Sequence, residues 1–361
     1  MQCPKCGSEN TQKRGVAGSG NPRIYCKDCG AHPTISDPDM IVKARSVLYD
    51  ADGNEKLVWE KTQVDKAQQD EAVRQIIAGL ISNIPPTKAM KPPAKTSHDL
   101  LTLYPVGDHH FGCLAHGEET TGHSKDDNDL GIQENVLRNA MEYLVKTSPN
   151  SDEACVMILG DFMHFDSLNP VTSSMSSSHI LDSDSRYHKV VRAALRGVRH
   201  LIKCALQKHR SVRLIVETGN HDEAGSVWLA ECFYMFYGDD PRITVDNSPR
   251  NFHILEFGKN LLGCHHGQGV KMPALPLLFA TDYPEIWGRT TNRVIHTGHV
   301  HHDQIKEYNG VTVESHGVLG PIDSYAAHHG YRSRQSMKSI TYHREFGEEA
   351  RFRFNPEMLD E

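Results

Sequence analysis

The sequence of 361 residues predicts a layered α/β domain preceded by a small module held together by cysteines. Three observations predict it. From about residue 98 onward, short apolar strand-like segments alternate with helical ones, and each strand stops at a loop rich in Gly, Asp, Asn or His. Four of the nine cysteines form two Cys-x-x-Cys pairs close to the start. Hydrophobic residues make up 38% and charged residues 24%, an ordinary globular balance. No apolar run approaches the roughly 18 residues that span a bilayer, so no membrane partner is expected.

Four zones follow in order. Residues 1–35 carry Cys3, Cys6, Cys26 and Cys29, the two pairs being separated by 19 residues. That spacing suits one structural Zn²⁺ held by four thiolates, which would fix a segment too small for its own core. The stretch Tyr25–Gly30 is similar to zinc ribbons on insertion-element transposases and other DNA-associated proteins. Lys5, Lys13, Arg14, Arg23 and Lys27 outnumber Glu9 and Asp28, and a Zn²⁺ with four thiolates reduces that excess to a slight patch.

Residues 36–84 read as an accessory segment. Asp52-Gly53 between Ser46–Tyr49 and Lys56–Glu60 signals a hairpin. Ala72, Ile76, Ile77, Leu80 and Ile81 then recur with a helical period. Residues 85–97 hold four prolines and read as a linker to the main domain, 98–361. The opening residues lack the basic-then-apolar pattern of a secretion signal, and the remaining five cysteines are scattered singly. Both features suit a reducing, cytoplasmic setting.

The main domain offers strands at Leu100–Val106, Cys155–Leu159, Arg213–Glu217, Asn260–Cys264 and Arg293–His296. Their loops read Asp108-His109-His110, Gly160-Asp161-Phe162-Met163-His164, Gly219-Asn220-His221-Asp222, His265-His266-Gly267 and Gly298-His299-Val300-His301. One such loop is commonly just a turn. Five in series point to a metal site, and carboxylate with imidazole suits Mn²⁺, Fe or Zn²⁺ better than Ca²⁺.

This series resembles the metal signature of calcineurin-like metallophosphoesterases over about residues 100–303. The resemblance implies a four-layer αββα sandwich of two mixed sheets with two metals at the strand ends. It implies that Asp108, His110 and His301 bind one ion, that Asn220, His266 and His299 bind the other, and that Asp161 bridges them. His266 is chosen over His265 because it directly precedes Gly267, as in the family's motif. The resemblance also implies Mn²⁺ as the working metal and His221 as the non-ligand histidine beside the scissile phosphate.

His164 fills a position where the DNA-repair exonuclease branch also has histidine, which leans toward nucleic acid as substrate, DNA foremost. Either His164 or Asp222 is expected to orient His221. Two dications about 3.5–4 Å apart clamp a phosphate and activate water. A histidine beside them suits proton donation to the leaving oxygen.

One further feature bears on a partner. Residues 186–216 hold nine Lys or Arg and no acid. Lys189, Arg192, Arg196, Arg199 and Lys203 share one helical face, a ridge suited to a phosphate backbone unless acids elsewhere in the fold neutralise it. Arg332, Arg334, Lys338 and Arg344 could extend it. The rival readings are a phosphomonoesterase or cyclic-nucleotide phosphodiesterase, and a scaffold that keeps the fold without catalysis. The modular layout also resembles proteins encoded by bacteriophages.

Overall fold

The parallel strands β5 (Ser97–Val106), β6 (Ser151–Ile158), β7 (Ser211–Val216) and β8 (Ile243–Asp246) lie side by side in that order. β14 (Met337–His343) and β15 (Gly347–Phe354) extend the β5 edge antiparallel, completing a six-stranded mixed sheet. A second mixed sheet has the order β12-β13-β11-β10-β9. Its strands are β9 (His253–Phe257), β10 (Asn260–His265), β11 (Asn292–Thr297), β12 (Gln304–Tyr308) and β13 (Val311–Ser315).

These features come from a computed structural model, which describes residues 2–16, 22–33, 40–49, 55–64, 93–172 and 180–359. Short helices α1 (Gly117–Thr120) and α7 (Ser324–His328) lie in loops. The longer ones are α2 (Leu130–Thr147), α3 (Tyr187–Lys208), α4 (Glu223–Tyr237), α5 (Leu275–Asp282) and α6 (Pro284–Arg289).

Layering follows from which faces are apolar. β5, β6 and β7 are buried on both sides, as parallel strands covered by other layers must be. Leu101, Leu103, Met157 and Ile215 of the first sheet meet Leu255, Leu262 and Cys264 of the second in one core. Leu261, Phe279, Ile295 and Val313 form another core that includes α5. α2 and α3 pack against the first sheet's strands and α6 adds Ile286 and Trp287 to the second core, so the order of layers is αββα.

α3 shows the local logic. Val190, Ala194, Val198, Leu201 and Ile202 are buried, while Lys189, Arg192, Arg196 and Lys203 are exposed. α2 is capped by the Asp129 carboxylate, which accepts from the Ile132 amide at 2.8 Å.

The chain divides into two units, Met1–Pro86 and Thr87–Glu361. Within the first, β1 (Thr11–Val16) pairs antiparallel with β2 (Pro22–Cys26), and β3 (Met40–Tyr49) with β4 (Glu55–Val64). The expected Asp52-Gly53 turn, the helix expected over 65–84 and residues 85–92 of the expected linker lie outside the described residues. No helix among the described residues is long and apolar enough to cross a membrane.

Candidate metal centres

The five loops converge because β5, β6, β7, β10 and β11 all end at the same rim of the two sheets. Carboxyl ends of parallel strands are where open α/β sheets hold ligands. Ligand atoms of Asp108, His110 and His301 lie within 4.8 Å of one another, and so do those of Asp161, His266 and His299. Asn220 joins the second set, its Oδ1 standing 3.1 Å from His266 Nε2. The two sets touch: Asp108 Oδ1 accepts the His299 amide at 3.1 Å and lies 3.9 Å from His266 Nδ1.

The backbone is strained there and nowhere else among the described non-glycine residues. His110, Asp161, His299 and His301 have φ of 52°, 48°, 68° and 56°. Such conformations cost of order 1–3 kcal/mol each and persist where the surroundings impose them. Two glycines allow the close approach. A Cβ on Gly219 would sit 2.1 Å from Asp161 Oδ1, and one on Gly298 would sit 2.3 Å from Asp108 Oδ1.

Whether these residues fit cations can be decided from His266. Its Nδ1 donates to the Leu159 carbonyl at 2.8 Å, which fixes the tautomer and leaves Nε2 with the lone pair. Nε2 faces two oxygens, Asn220 Oδ1 and, at 3.3 Å, Asp161 Oδ2. A bare lone pair among oxygens is repulsive, so a positive charge belongs between them.

Without a metal, a proton fills the role. Burial lowers the His266 pKa, but Asp161 and Asp108 outweigh it and hold it at about 10. Conversely, burial raises the Asp161 carboxyl while His266 draws it well below the usual range. In the first set, His110 Nε2 and His301 Nε2 face each other at 3.2 Å. The buried Asp108 Oδ2 receives no well-directed hydrogen bond, although His301 Nε2 is 3.0 Å away. A shared cation satisfies all of these donors, so the residues fit a pair of ions.

Metal loading must therefore displace the His266 proton. Apparent affinity should rise by about tenfold per pH unit while that site stays protonated, below pH 10. Adding Mn²⁺ to metal-free protein at pH 8 should release protons into a weakly buffered indicator solution. A pH-independent affinity without proton release would contradict the assignment.

Around the two sets, His221 is held twice. Its amide donates to Asp161 Oδ1 at 2.7 Å, and its Nδ1 donates to the His164 carbonyl at 2.8 Å. That assigns the exchangeable ring position to Nε2. The His164 ring stacks on His221 with centroids 5.4 Å apart, and burial followed by the charge of His221 lowers its pKa to about 3. The expectation that His164 orients His221 thus takes an unexpected form, since its backbone oxygen makes the hydrogen bond.

Asp222 does something else. Its carboxylate accepts the amides of Asp161 at 3.1 Å and Met163 at 3.0 Å, which pins the loop that aims Asp161. Burial and the Asp161 charge push its pKa to about 7.

The histidines next to the candidate ligands have other surroundings. His109 is buried against Phe111, rings 4.2 Å apart, and points away from the ligand sets. His265 stacks on Phe252 and accepts the Gly267 amide at 3.0 Å. His302, His328 and His329 line the same cleft as the ligands.

Sequence reading missed Asp303, which accepts from Lys338 at 2.6 Å and from Arg353 at 2.6 Å and so anchors the loop carrying His299 and His301. Its only signal was a lysine inside the otherwise uncharged β14. Lys338 is buried and also bonds Glu314 at 3.1 Å, which removes it from the expected cationic ridge. Arg196 is likewise paired with Glu134 of α2, and Arg199 lies over the Phe236 ring at 5.2 Å. Lys189, Arg192 and Lys203 remain exposed.

In the N-terminal unit the four cysteine sulfurs lie within 4.8 Å of one another. Cys3 and Cys29 are 3.8 Å apart, Cys6 and Cys26 3.6 Å. A tetrahedron with Zn–S of about 2.3 Å has edges of about 3.8 Å. Disulfide sulfurs would sit about 2 Å apart. Asp28 ties the two knuckles, accepting from Ser8 at 2.5 Å and Asn10 at 2.8 Å. Beyond the cysteines, Ile24 is the one apolar side chain buried among the described residues here, so a metal held by the four sulfurs would supply most of the folding energy. Cys26→Ser in the full chain should lower bound zinc by one equivalent and make residues 2–33 protease-sensitive, leaving the strand-end metals in place. Mass spectrometry of the native protein and limited trypsinolysis check both.

No protein-family model matches this chain, and no curated protein matches it. Solved structures do. A conserved uncharacterized protein of Streptococcus pneumoniae, described as a predicted phosphoesterase, is 11% identical over 72% of this chain and 99% of its own, with TM-score 0.28. Zinc-complexed Vps29 of Entamoeba histolytica is 11% identical over 71% and 99%, with TM-score 0.29. The phosphopantetheinyl hydrolase of Mycobacterium tuberculosis is 12% identical over 62% and 91%, with TM-score 0.28. Likenesses this loose say nothing about individual site residues. The chain's own geometry establishes a mixed α/β protein with two facing mixed sheets, a candidate His/Asp metal cluster at their rim and a separate four-cysteine group.

Proposed function

We propose that this chain is a two-metal phosphodiesterase of the calcineurin-like superfamily that hydrolyses nucleic acid, DNA foremost. The observation that carries the reading is the pair of adjoining ligand sets, with His221 held on Asp161 beside them. When bound, the paired cations supply charge neutralisation on the phosphoryl oxygens and an acidified water, and Mn²⁺ is the working ion proposed. Asp108, His110 and His301 would hold one ion, Asn220, His266 and His299 the other, and Asp161 would serve both.

As the water oxygen bonds to phosphorus and the ester P–O bond breaks, the doubly protonated His221 ring gives its Nε2 proton to the leaving oxygen. The His164 carbonyl holds the Nδ1 proton, so Nε2 is the ring position that takes up and gives up the second one. The cleft in front of these residues has a volume of about 1200 Å³, room for several nucleotides rather than one small phosphomonoester. The zinc ribbon, residues 36–84 and the exposed basic positions of α3 assist recruitment of the strand.

Hydrolysis of single- and double-stranded DNA, RNA, bis-p-nitrophenyl phosphate and p-nitrophenyl phosphate with Mn²⁺ tests the reading. Diester cleavage that includes a nucleic acid is expected. Cleavage of the monoester alone would overturn it. Fewer than two site metals in the loaded protein would favour a non-catalytic scaffold.

A further inference from the structure

The cleft that holds the candidate metal ligands is also lined by residues of the segment 320–333, which exposes aromatic side chains. Tyr325 and Tyr331 are 53% and 58% exposed. Between them lies His329, its ring centroid 4.1 Å from that of Tyr325 and 5.9 Å from that of Tyr331, the latter pair inclined by 18°. His328 and Arg332 flank this row.

The row is fixed before any ligand arrives. Asp323 caps α7 by accepting the Ala326 amide at 2.8 Å, and the Ser324 hydroxyl donates to Asp182. The Tyr331 amide closes on the Ala326 carbonyl at 2.9 Å. Gln335 fastens the preceding loop by donating to the carbonyls of Leu319 at 3.1 Å and Gly320 at 2.8 Å. Asp323 in the segment and Asp182 beside it are thus engaged in holding it. The surface offered to the cleft is planar rings with a guanidinium and imidazoles at their edge.

We propose that Tyr325, His329 and Tyr331 form a stacking platform for the bases of a single-stranded nucleic acid, with Arg332 beside its phosphates. The inference rests on the phosphodiesterase reading of the metal site and adds which part of the substrate is recognised. Rigid aromatic rings bind any base through its π-face and lose little entropy in doing so. Arg332 suits a neighbouring phosphate through its fork of donors. A duplex, whose bases are stacked on each other, presents no face to such a row.

The test compares oligothymidylate with an equal-length strand whose bases are replaced by abasic tetrahydrofuran residues, both with Mn²⁺. Wild-type protein should prefer the base-bearing strand. The Tyr325→Ala/Tyr331→Ala variant should raise KM for oligothymidylate about 5- to 100-fold, with kcat little changed and the abasic strand unaffected. The Tyr325→Phe/Tyr331→Phe variant should keep the preference. As a measurement independent of turnover, emission from a Tyr331→Trp substitution should be quenched by oligothymidylate and not by the abasic strand.

Equal cleavage of both strands by the wild type, or equal losses on both in the alanine variant, would overturn the platform and leave the nuclease reading standing. If bis-p-nitrophenyl phosphate is cleaved and no oligonucleotide is, the nuclease reading fails and the platform with it.

Discussion

Asp161→Asn should abolish hydrolysis of every phosphoester tested, with a loss of roughly 10³-fold or more, while the protein stays folded. Two dications about 4 Å apart repel by about 16 kcal/mol at an effective dielectric of 20, four times the unit-charge figure. A shared carboxylate is the group that offsets this, and the amide has no charge to do so. Asn is nearly isosteric, and its Oδ1 can still accept the His221 amide that Asp161 Oδ1 now takes. The loop geometry is therefore retained and the electrostatic role isolated.

Loaded metal, measured by mass spectrometry or calorimetry, should fall below two ions at the strand-end site. The His266 pKa should also drop, because Asp161 is the main charge holding it near 10. Full activity with two bound metals in this variant would show that Asp161 is not shared.

Much of this site was legible in the sequence because its residues are chemically conspicuous and their loops abut strands of recognisable hydrophobicity. β10 was expected at Asn260–Cys264 and spans Asn260–His265, an error of one residue. Several other features were not legible, for physical reasons. Thr102 and Thr341 share a hydrogen bond at 3.1 Å across 239 residues of chain, and no local pattern announces that β14 returns beside β5. β12 reads Gln-Ile-Lys-Glu-Tyr, a charged and exposed edge strand whose identity comes from its partner β13.

The neutralisation of Arg196 depends on α2 lying alongside α3 and bringing Glu134 to it, which α3's own sequence does not reveal. Nor does the motif tell an inward-facing histidine from a buried one. His110 reaches the ligand set because its backbone adopts φ 52°, whereas His109 next to it turns its ring into the Phe111 and Phe162 cluster. The strain at four candidate ligand positions follows from the same requirement, since tight turns after parallel strands must aim neighbouring side chains at one point.

His221→Ala should leave both metals bound and lower kcat for oligonucleotide cleavage by about 10²- to 10⁴-fold, the usual range for a positioned proton donor. Metal retention is expected because His221 touches Asp161 through its backbone amide, and alanine keeps that donor. The size of the loss should depend on the leaving group. An alkoxide leaving a nucleic acid strand needs a proton as its P–O bond breaks, whereas p-nitrophenolate departs readily without one. The variant should therefore be impaired far less on bis-p-nitrophenyl phosphate than on DNA. Loss of metal in the variant would make His221 a ligand, and the three rings of His110, His164 and His221 do gather closely enough to test that alternative. Equal impairment on both substrates would instead assign His221 to stabilising charge on the phosphoryl group, a role indifferent to what leaves.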